Sequence, residues 1–138
     1  MKKVNCILLI DDNPDDNFFH KIAITAADVC NHIKVAYDGV EALEYLIKCG
    51  EVNQPSDDYP IPDLIYLDIN MPRMNGFEFL KEYEKSDEGI KSKVVIVMLT
   101  TSLNSDDRKK ALGFNDVTEF QNKPLTVEGV QEIAEKYF

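Results

Sequence analysis

The sequence predicts an α/β fold: five βα units that form a doubly wound, five-stranded parallel sheet with helices on both faces. Five short apolar runs alternate along the chain with stretches in which apolar residues recur at helical spacing. The apolar runs are continuous, as expected for strands that are covered on both faces. Strands that alternate with helices in this way usually pair in parallel, so we expect one sheet.

The first two units occupy the first 48 residues. Strands are predicted over residues 7–10 and near residues 32–36. The helix between them is indicated by apolar residues at helical spacing, namely Phe18, Phe19, Ile22, Ala23 and Ala26. A second helix is predicted over residues 40–48, and its apolar face consists of Val40, Leu43, Leu46 and Ile47.

The remaining three units follow a predicted loop. Residues 49–62 contain three prolines and show no periodicity, which is typical of a surface loop. Strands are predicted over residues 64–68, 94–99 and 118–121, and the run VVIVML at 94–99 is the most β-branched of the chain. Helices are predicted over residues 77–84, over residues 106–112 and at the end of the chain, where the apolar residues are Val127, Val130, Ile133, Ala134 and Tyr137.

Composition limits the function classes. A chain of 138 residues with 44% hydrophobic residues suits one domain, which we expect to span residues 1–138 with no output domain. The formal net charge of −10 argues against a nucleic-acid surface, because such surfaces need clustered Lys and Arg. An acidic chain more readily holds a cation or meets a basic partner, although most of the charges are expected only to keep the protein soluble.

Cysteines and the N-terminus indicate the compartment. The three cysteines are an odd number without C-x-x-C spacing, which favours neither a disulfide framework nor a zinc site. The apolar stretch after the N-terminus stops at Asp11, too early for a signal peptide or a membrane span. We therefore expect a cytoplasmic protein that does not act on a membrane.

Polar residues stand where the predicted strands end. The first strand ends in Asp11 and Asp12, and the third ends in Asp68. The fourth and fifth strands end in residues with hydroxyl, amide and amine groups, which are Thr100, Thr101, Asn122 and Lys123. In open α/β sheets, ligands bind at the carboxyl ends of the strands. The sequence therefore predicts a functional site where these groups converge.

The three carboxylates predict a divalent cation. Asp11, Asp12 and Asp68 would repel one another and take up protons unless a cation neutralised them. Ligands that are all oxygens select a hard ion such as Mg²⁺, which usually keeps waters and a phosphoryl oxygen in its shell. Lys123 and Thr100 would then hold the remaining phosphoryl oxygens, one by charge and one by a hydrogen bond.

The segment DDNPDD, residues 11–16, is interpreted as two groups of charges. The first two aspartates face the metal. Asn13 can cap the following helix and Pro14 suits its first position. Asp15 and Asp16 are interpreted as acids that meet the positive end of the helix dipole.

Four motifs follow one another along the chain: DD after the first strand, DINMPRMNGFE at residues 68–78, LTTS after the fourth strand and NKP before the last helix. Together they resemble the receiver domain of two-component response regulators, over essentially the whole chain. The resemblance implies a domain similar to the chemotaxis regulators, with a flavodoxin-like sheet whose strand order is 2-1-3-4-5. The insertion at residues 49–62 is similar to that of the single-domain regulators that partner cyanobacterial phytochromes and their relatives.

The resemblance also implies a reaction. Asp68 is similar to the phosphoacceptor, which takes a phosphoryl group from the phosphohistidine of a histidine kinase, or from a phosphotransfer protein, in an in-line, Mg²⁺-dependent displacement. Asp12 would bind the metal directly and Asp11 mainly through water, while Asn70 would contribute its backbone carbonyl.

The same resemblance assigns the phosphoryl ligands. Lys123 would pair with the acceptor carboxylate or its phosphate, and its peptide bond to Pro124 is expected to be cis, which would aim the lysine into the site. Thr100 would move toward the phosphoryl group and bond it. Thr101 stands where smaller residues are common, so its bulk is expected to impede the hydrolytic water.

The output side departs from the family pattern. Phe120 occupies the position of a switching tyrosine and has no hydroxyl to donate. With Lys109, Lys110 and Phe114 it would form an apolar and basic patch between the fourth and fifth helices, the α4-β5-α5 face. We expect this face to bind a downstream protein target or a second copy of the chain.

Rival classes fit less well. An EF-hand that began at Asp11 would need glycine at its sixth position and glutamate at its twelfth, where Asp16 and Ile22 stand. A flavodoxin-like cofactor carrier shares the fold, but DDNPDD would repel its phosphate. A phospho-aspartyl hydrolase of small phosphate esters would want a second carboxylate two residues after its nucleophile, where Asn70 stands.

Overall fold

The structure is a computed structural model that describes residues 4–51, 58–85, 94–101 and 104–138. These parts contain five strands and five helices in alternation. The strands β1 to β5 are Val4–Ile10, Cys30–Ala36, Leu64–Leu67, Val95–Thr100 and Glu119–Asn122. The helices α1 to α5 are Pro14–Ala27, Gly39–Glu51, Gly76–Glu84, Ser105–Leu112 and Val127–Tyr137.

The strands form one parallel sheet in the order β2-β1-β3-β4-β5, which confirms the predicted fold and strand order. Ile10, the last residue of β1, pairs with Ala36 in β2 and with Leu67 in β3. Thr100, the last residue of β4, pairs with Asn122, the last residue of β5. All five carboxyl ends therefore meet at one edge, and the strand order reverses between β1 and β3.

Alternate residues of each strand supply two separate cores. Leu8 and Ile10 face α2, α3 and α4, whereas Ile7 and Leu9 face α1 and α5. All four side chains are at most 1% exposed. Burial of each such side chain contributes about 1.5 to 3 kcal/mol, which explains why these strands are apolar on both faces. The sheet is thus clamped between two helical layers.

The helix α1 forms as predicted, but its apolar stripe does not face the sheet. Phe18, Phe19 and Ile22 are 61%, 64% and 51% exposed. The side of α1 that packs on the sheet shares only Ala23 with the predicted stripe, and its buried residues are Asn17, His20, Ala23, Ile24 and Ala27. Two polar residues replace apolar ones on this side because they lie at the end of the helix that is closest to the site.

The helix α2 is longer than its sequence pattern predicts. It continues through Glu51, so the expected loop over residues 49–62 is wrong for its first three residues. Within α2, Ile47 is 60% exposed although it was assigned to the apolar face, whereas Leu46 is buried. Residues 52–57 of the expected loop lie outside the described residues.

No helix in the described parts of the chain is both long and apolar enough to cross a membrane. None of Cys6, Cys30 and Cys49 is part of a disulfide bond.

Candidate functional site

The ends of β1 and β3 bring three predicted acidic residues together. The Asp11 N–H donates to the Ala36 carbonyl at 3.0 Å, and the Asp68 N–H donates to the Ile10 carbonyl at 2.9 Å. These bonds continue the sheet ladder by one residue and fix both aspartates at its edge. Asp11, Asp12 and Asp68 each present a carboxylate oxygen, and the three oxygens lie within 4.8 Å of one another.

The grouping of the three oxygens is compatible with a small divalent ion. Octahedral Mg²⁺ holds oxygens at about 2.1 Å, so that neighbouring ligands are about 3 Å apart and opposite ones about 4 Å apart. Asp11 and Asp68 are buried, while Asp12 is exposed. Solvent therefore reaches the group from the side of Asp12.

Lys123 enters this acidic group from the end of β5. Its N–H donates to the Thr100 carbonyl at 2.8 Å, and its peptide bond to Pro124 is cis, as expected. The ammonium lies 2.6 Å from Asp11 Oδ2 and 2.9 Å from Asp16 Oδ2, but 3.6 Å from Asp68 Oδ1. The lysine side chain is only 9% exposed, so these contacts are poorly screened by solvent.

Burial and neighbouring charges change the pKa values of Asp68 and Lys123. Burial, with the neighbouring charge of Asp11, raises the pKa of Asp68 to about 6, against the opposing effect of Lys123. Burial alone would lower the pKa of Lys123, but hydrogen bonds to Asp11 and Asp16 raise it above its ordinary value. The lysine therefore stays charged, whereas the charge of Asp68 is only partly compensated.

The loop after β3 is fixed by backbone contacts. The Gly76 N–H donates to the Ile69 carbonyl at 2.8 Å, and a Cβ on Gly76 would lie 2.4 Å from the Asp68 carbonyl oxygen. Only glycine allows α3 to begin so close to Asp68. A capping box between Asn75 and Glu78 fixes the first turn of this helix.

The same loop is tied to the loop before α2. Arg73 has a positive φ of 61° and its Nε donates to Asp38 Oδ2 at 2.7 Å. That hydrogen bond lowers the pKa of Asp38, although burial alone would raise it. The ion pair therefore links the segment that carries Asn70 to the start of α2.

The other predicted residues lie around this group. Thr100 is buried at the end of β4, and Thr101 after it is exposed. Asn70 is exposed in the loop after β3. Phe120 pairs with Met98 in the sheet and is half-buried, with the Arg108 guanidinium 5.9 Å from the centre of its ring.

Sequence reasoning missed four residues near the site. Asp16 was interpreted as a helix-start acid, yet its carboxylate binds Lys123. The Asn17 amide donates to the Asp11 carbonyl at 2.9 Å, while His20 and Tyr66 line a small cavity with Asp11 and Asp68. Burial, followed by the charge of Lys123, lowers the pKa of His20.

A signal for two of these residues was available. Asn17 and His20 share one side of α1 with Ile24 and Ala27, at spacings of three and four residues. A polar residue at this periodicity indicates a buried group that has a partner. Asp16 and Tyr66 differ, because only the folded chain shows what they approach. The start of α1 is otherwise as predicted, since the Asn13 side chain accepts from the N–H groups of Asp15 and Asp16.

A comparison with known families decides the family of this chain. A model described as the response regulator receiver domain matches residues 7–135. The chain belongs to this family. It is a receiver domain of two-component response regulators, which are phosphorylated on an aspartate and relay signals. Neither the flavodoxin-like carrier nor the hydrolase is favoured by this result.

Individual relatives of this receiver domain include phytochrome-linked regulators. Response regulator Rcp1 of a Synechocystis strain is 31% identical over 101 residues, which cover 73% of this chain and 65% of that protein. The matched segment is thus slightly less than two thirds of Rcp1, and it is a small part of some much longer relatives. The phosphorylated cyanobacterial phytochrome response regulator RcpA has a TM-score of 0.71 at 31% identity, with 96% of this chain and 89% of that chain covered.

Further structures support the fold and a divalent ion in the family. A two-component response regulator from Cytophaga hutchinsonii has a TM-score of 0.86 at 27% identity, with 99% of this chain and 98% of that chain covered. The Mn²⁺-bound form of Rcp1 has a TM-score of 0.70 at 26% identity, with 96% and 90% covered. Receiver domains therefore bind divalent metal, and the acidic group of this chain is compatible with it.

The raised pKa of Asp68 gives a test of the site. In metal-free buffer at pH 7.5, Asp68→Asn should raise the free energy of unfolding by about 1 to 3 kcal/mol, because a neutral amide replaces a poorly compensated carboxylate. The pKa is about 6 in the folded protein against an ordinary value of 3.8. Wild type therefore gains stability as the pH falls from about 6 toward about 4, and the advantage of the variant shrinks over that range.

Urea denaturation at pH 7.5 and pH 4.5 measures both effects. Asp15→Asn is the control. It removes an exposed acid from the first turn of α1 and should not gain stability. Equal or lower stability of Asp68→Asn at pH 7.5 would show that the carboxylate is not destabilised.

Proposed function

We propose that this receiver domain is a phosphorylation-controlled switch and that Asp68 is its phosphoacceptor. The observation that carries the proposal is the position of Asp68, a buried carboxylate that lies 3.6 Å from an ammonium and within 4.8 Å of two other carboxylates. An Asp68 oxygen attacks the phosphorus of a phosphohistidine in line. The new P–O bond forms as the P–N bond breaks, and the electron pair returns to the histidine nitrogen.

The proposal assigns a cation to the acidic group. Asp12 would hold Mg²⁺ directly, Asp11 mainly through water, and Asp68 and the Asn70 carbonyl would complete the protein ligands. The bound ion supplies positive charge that offsets the repulsion between the acceptor and the incoming phosphoryl oxygens. The relative that binds Mn²⁺ supports a divalent ion here, and the all-oxygen ligand set favours Mg²⁺.

Two further side chains stabilise the transferred group. Lys123 pairs with a phosphoryl oxygen by charge, and the Thr100 hydroxyl donates to another. Thr101 is exposed next to Thr100, where its bulk hinders an attacking water and lengthens the life of the phosphoryl group. The domain thus supports its own phosphorylation and dephosphorylation and does not turn over other phosphate esters.

The donor protein would dock on α1. This helix starts three residues after Asp11 and presents Phe18, Phe19 and Ile22 to solvent beside the site. Apolar side chains that cluster on an exposed helix face are typical of a protein-binding surface. We therefore place the histidine kinase or phosphotransfer protein on this face, in an exchange that takes place in the cytoplasm.

The output would leave through the α4-β5-α5 face. Phe120 is half-buried beneath Arg108, and Phe114 stacks on Phe77 at 6.1 Å between ring centres. Both rings are partly buried and also pack against the hydrophobic core. Thr100 pairs with the last residue of β5, and Lys123 directly follows that strand. Movement of these two residues toward a phosphoryl group would therefore shift Phe120 and alter this face. The face then binds a downstream target or a second copy of the chain. Residues 102 and 103, which join β4 to α4, lie outside the described residues.

The metal ligands can be tested directly. Mg²⁺ should bind weakly to the wild type, and Asp12→Ala should weaken binding at least tenfold because too few protein oxygens remain. Isothermal titration measures both affinities. Asp15→Ala removes an equal charge three residues away and serves as the control. An affinity for Mg²⁺ that is unchanged in Asp12→Ala would contradict the metal assignment.

Phosphorylation itself should be specific to one residue. Acetyl phosphate with Mg²⁺ should add one base-labile phosphoryl group to the wild type and to Asp15→Asn, but none to Asp68→Asn, which lacks the nucleophilic oxygen. Intact-protein mass spectrometry counts the groups, and chelation of Mg²⁺ should abolish the labelling. Equal labelling of Asp68→Asn would mean that another residue is the acceptor.

Phosphorylation should also strengthen association through the α4-β5-α5 face. Sedimentation velocity with and without beryllofluoride should show tighter self-association, or a pull-down should show tighter binding of a target, when the analogue is present. Phe120→Ala should weaken this association several-fold and leave labelling of Asp68 intact. If neither assay depends on beryllofluoride, the output surface lies elsewhere on the domain.

A further inference from the structure

The Lys123 ammonium is bound to carboxylates other than the proposed phosphoacceptor. It lies within hydrogen-bond distance of Asp11 Oδ2 and Asp16 Oδ2, at 2.6 Å and 2.9 Å. Its distance of 3.6 Å to Asp68 Oδ1 is too long for a hydrogen bond. An ammonium has three N–H donors, and two of them are committed here to Asp11 and Asp16.

The contact with Asp16 is not explained by the start of α1. Asp15 and Asp16 stand side by side in the first turn, and the N–H groups of both donate to the Asn13 side chain. Either acid can meet the positive end of the helix. Only the Asp16 carboxylate reaches a lysine that is 107 positions away in the chain. Asp16 therefore accepts a hydrogen bond from a residue of the site, and its place in the first turn of α1 does not explain this contact.

We infer that Asp16 is a positioning residue that holds the Lys123 ammonium away from Asp68 and so opposes the phosphorylated state. The inference rests on the proposed function. A phosphoryl group on Asp68 draws Lys123 toward its oxygens, and the contact with Asp16 competes for the same ammonium. The Asp16 carboxylate also adds negative charge beside a group that is itself negative. Both effects disappear when Asp16 is neutral.

The neighbouring acid supplies a matched control for the experiment. Asp16→Asn and Asp15→Asn each remove one negative charge from the first turn of α1 and keep the backbone bonds to Asn13. At saturating Mg²⁺, Asp16→Asn should bind beryllofluoride about three- to tenfold more tightly than wild type, since a charged competitor for Lys123 is gone. Asp15→Asn should stay within about twofold of wild type. Titrations followed by NMR of backbone amides give the affinities.

Two further measurements separate positioning from a structural effect. Asp16→Glu keeps the negative charge and can still reach Lys123, so its affinity for beryllofluoride should return toward that of wild type. The ¹⁵N signal of the Lys123 ammonium reports its surroundings directly. Without beryllofluoride, this signal should shift in Asp16→Asn and not in Asp15→Asn. Urea denaturation checks that all variants are folded.

The outcomes distinguish the inference from the function on which it rests. Equal affinities for Asp16→Asn and Asp15→Asn, or weaker binding by Asp16→Asn, would overturn the role of Asp16. If wild type still binds beryllofluoride and Asp68→Asn does not, the proposed function survives that result. If wild type does not bind beryllofluoride, or Asp68→Asn binds it equally well, both fail.

Discussion

The chemistry of the site depends on the repulsion between carboxylates that a parallel sheet brings to one edge. Asp11 and Asp68 are buried at the ends of neighbouring strands, with Asp12 within 4.8 Å of both. Lys123 offsets part of this charge, yet it is closer to Asp11 and Asp16 than to Asp68. Part of the negative charge therefore stays unbalanced at Asp68, the proposed phosphoacceptor, where a divalent cation would offset it.

The remaining parts of the fold hold these charges in place. Two hydrophobic layers fix the strands from both faces, so the strand ends cannot move apart to relieve the repulsion. Hydrogen bonds from Asp11 and Asp68 to neighbouring strands extend the sheet to the edge of the site. Stability of the core thus maintains a local arrangement that is unfavourable by itself, as is common at functional sites.

Much of this arrangement could be predicted from the sequence, because strand ends in a parallel sheet share an edge. The parallel sheet, the convergence of Asp11, Asp12 and Asp68, and the cap at Asn13 followed from local patterns, whereas the strand order followed from the family resemblance. The orientation of α1 did not, since Phe18 and Phe19 fit a helical stripe as well as the residues that are in fact buried. Contacts such as that of Asp16 with Lys123 join distant segments, and no local pattern encodes them.

The glycine at the start of α3 has a mechanical consequence. With no side chain at Gly76, the first turn of this helix rests almost directly on the Asp68 carbonyl oxygen, where a Cβ would come within 2.4 Å. The backbone of Asp68 is therefore closely packed against the start of α3. If Asp68 is phosphorylated as proposed, Thr100 at the end of β4 and Lys123 directly after β5 are the groups that adjust to the added anion. Close packing on the α3 side thus directs any such adjustment toward β4 and β5.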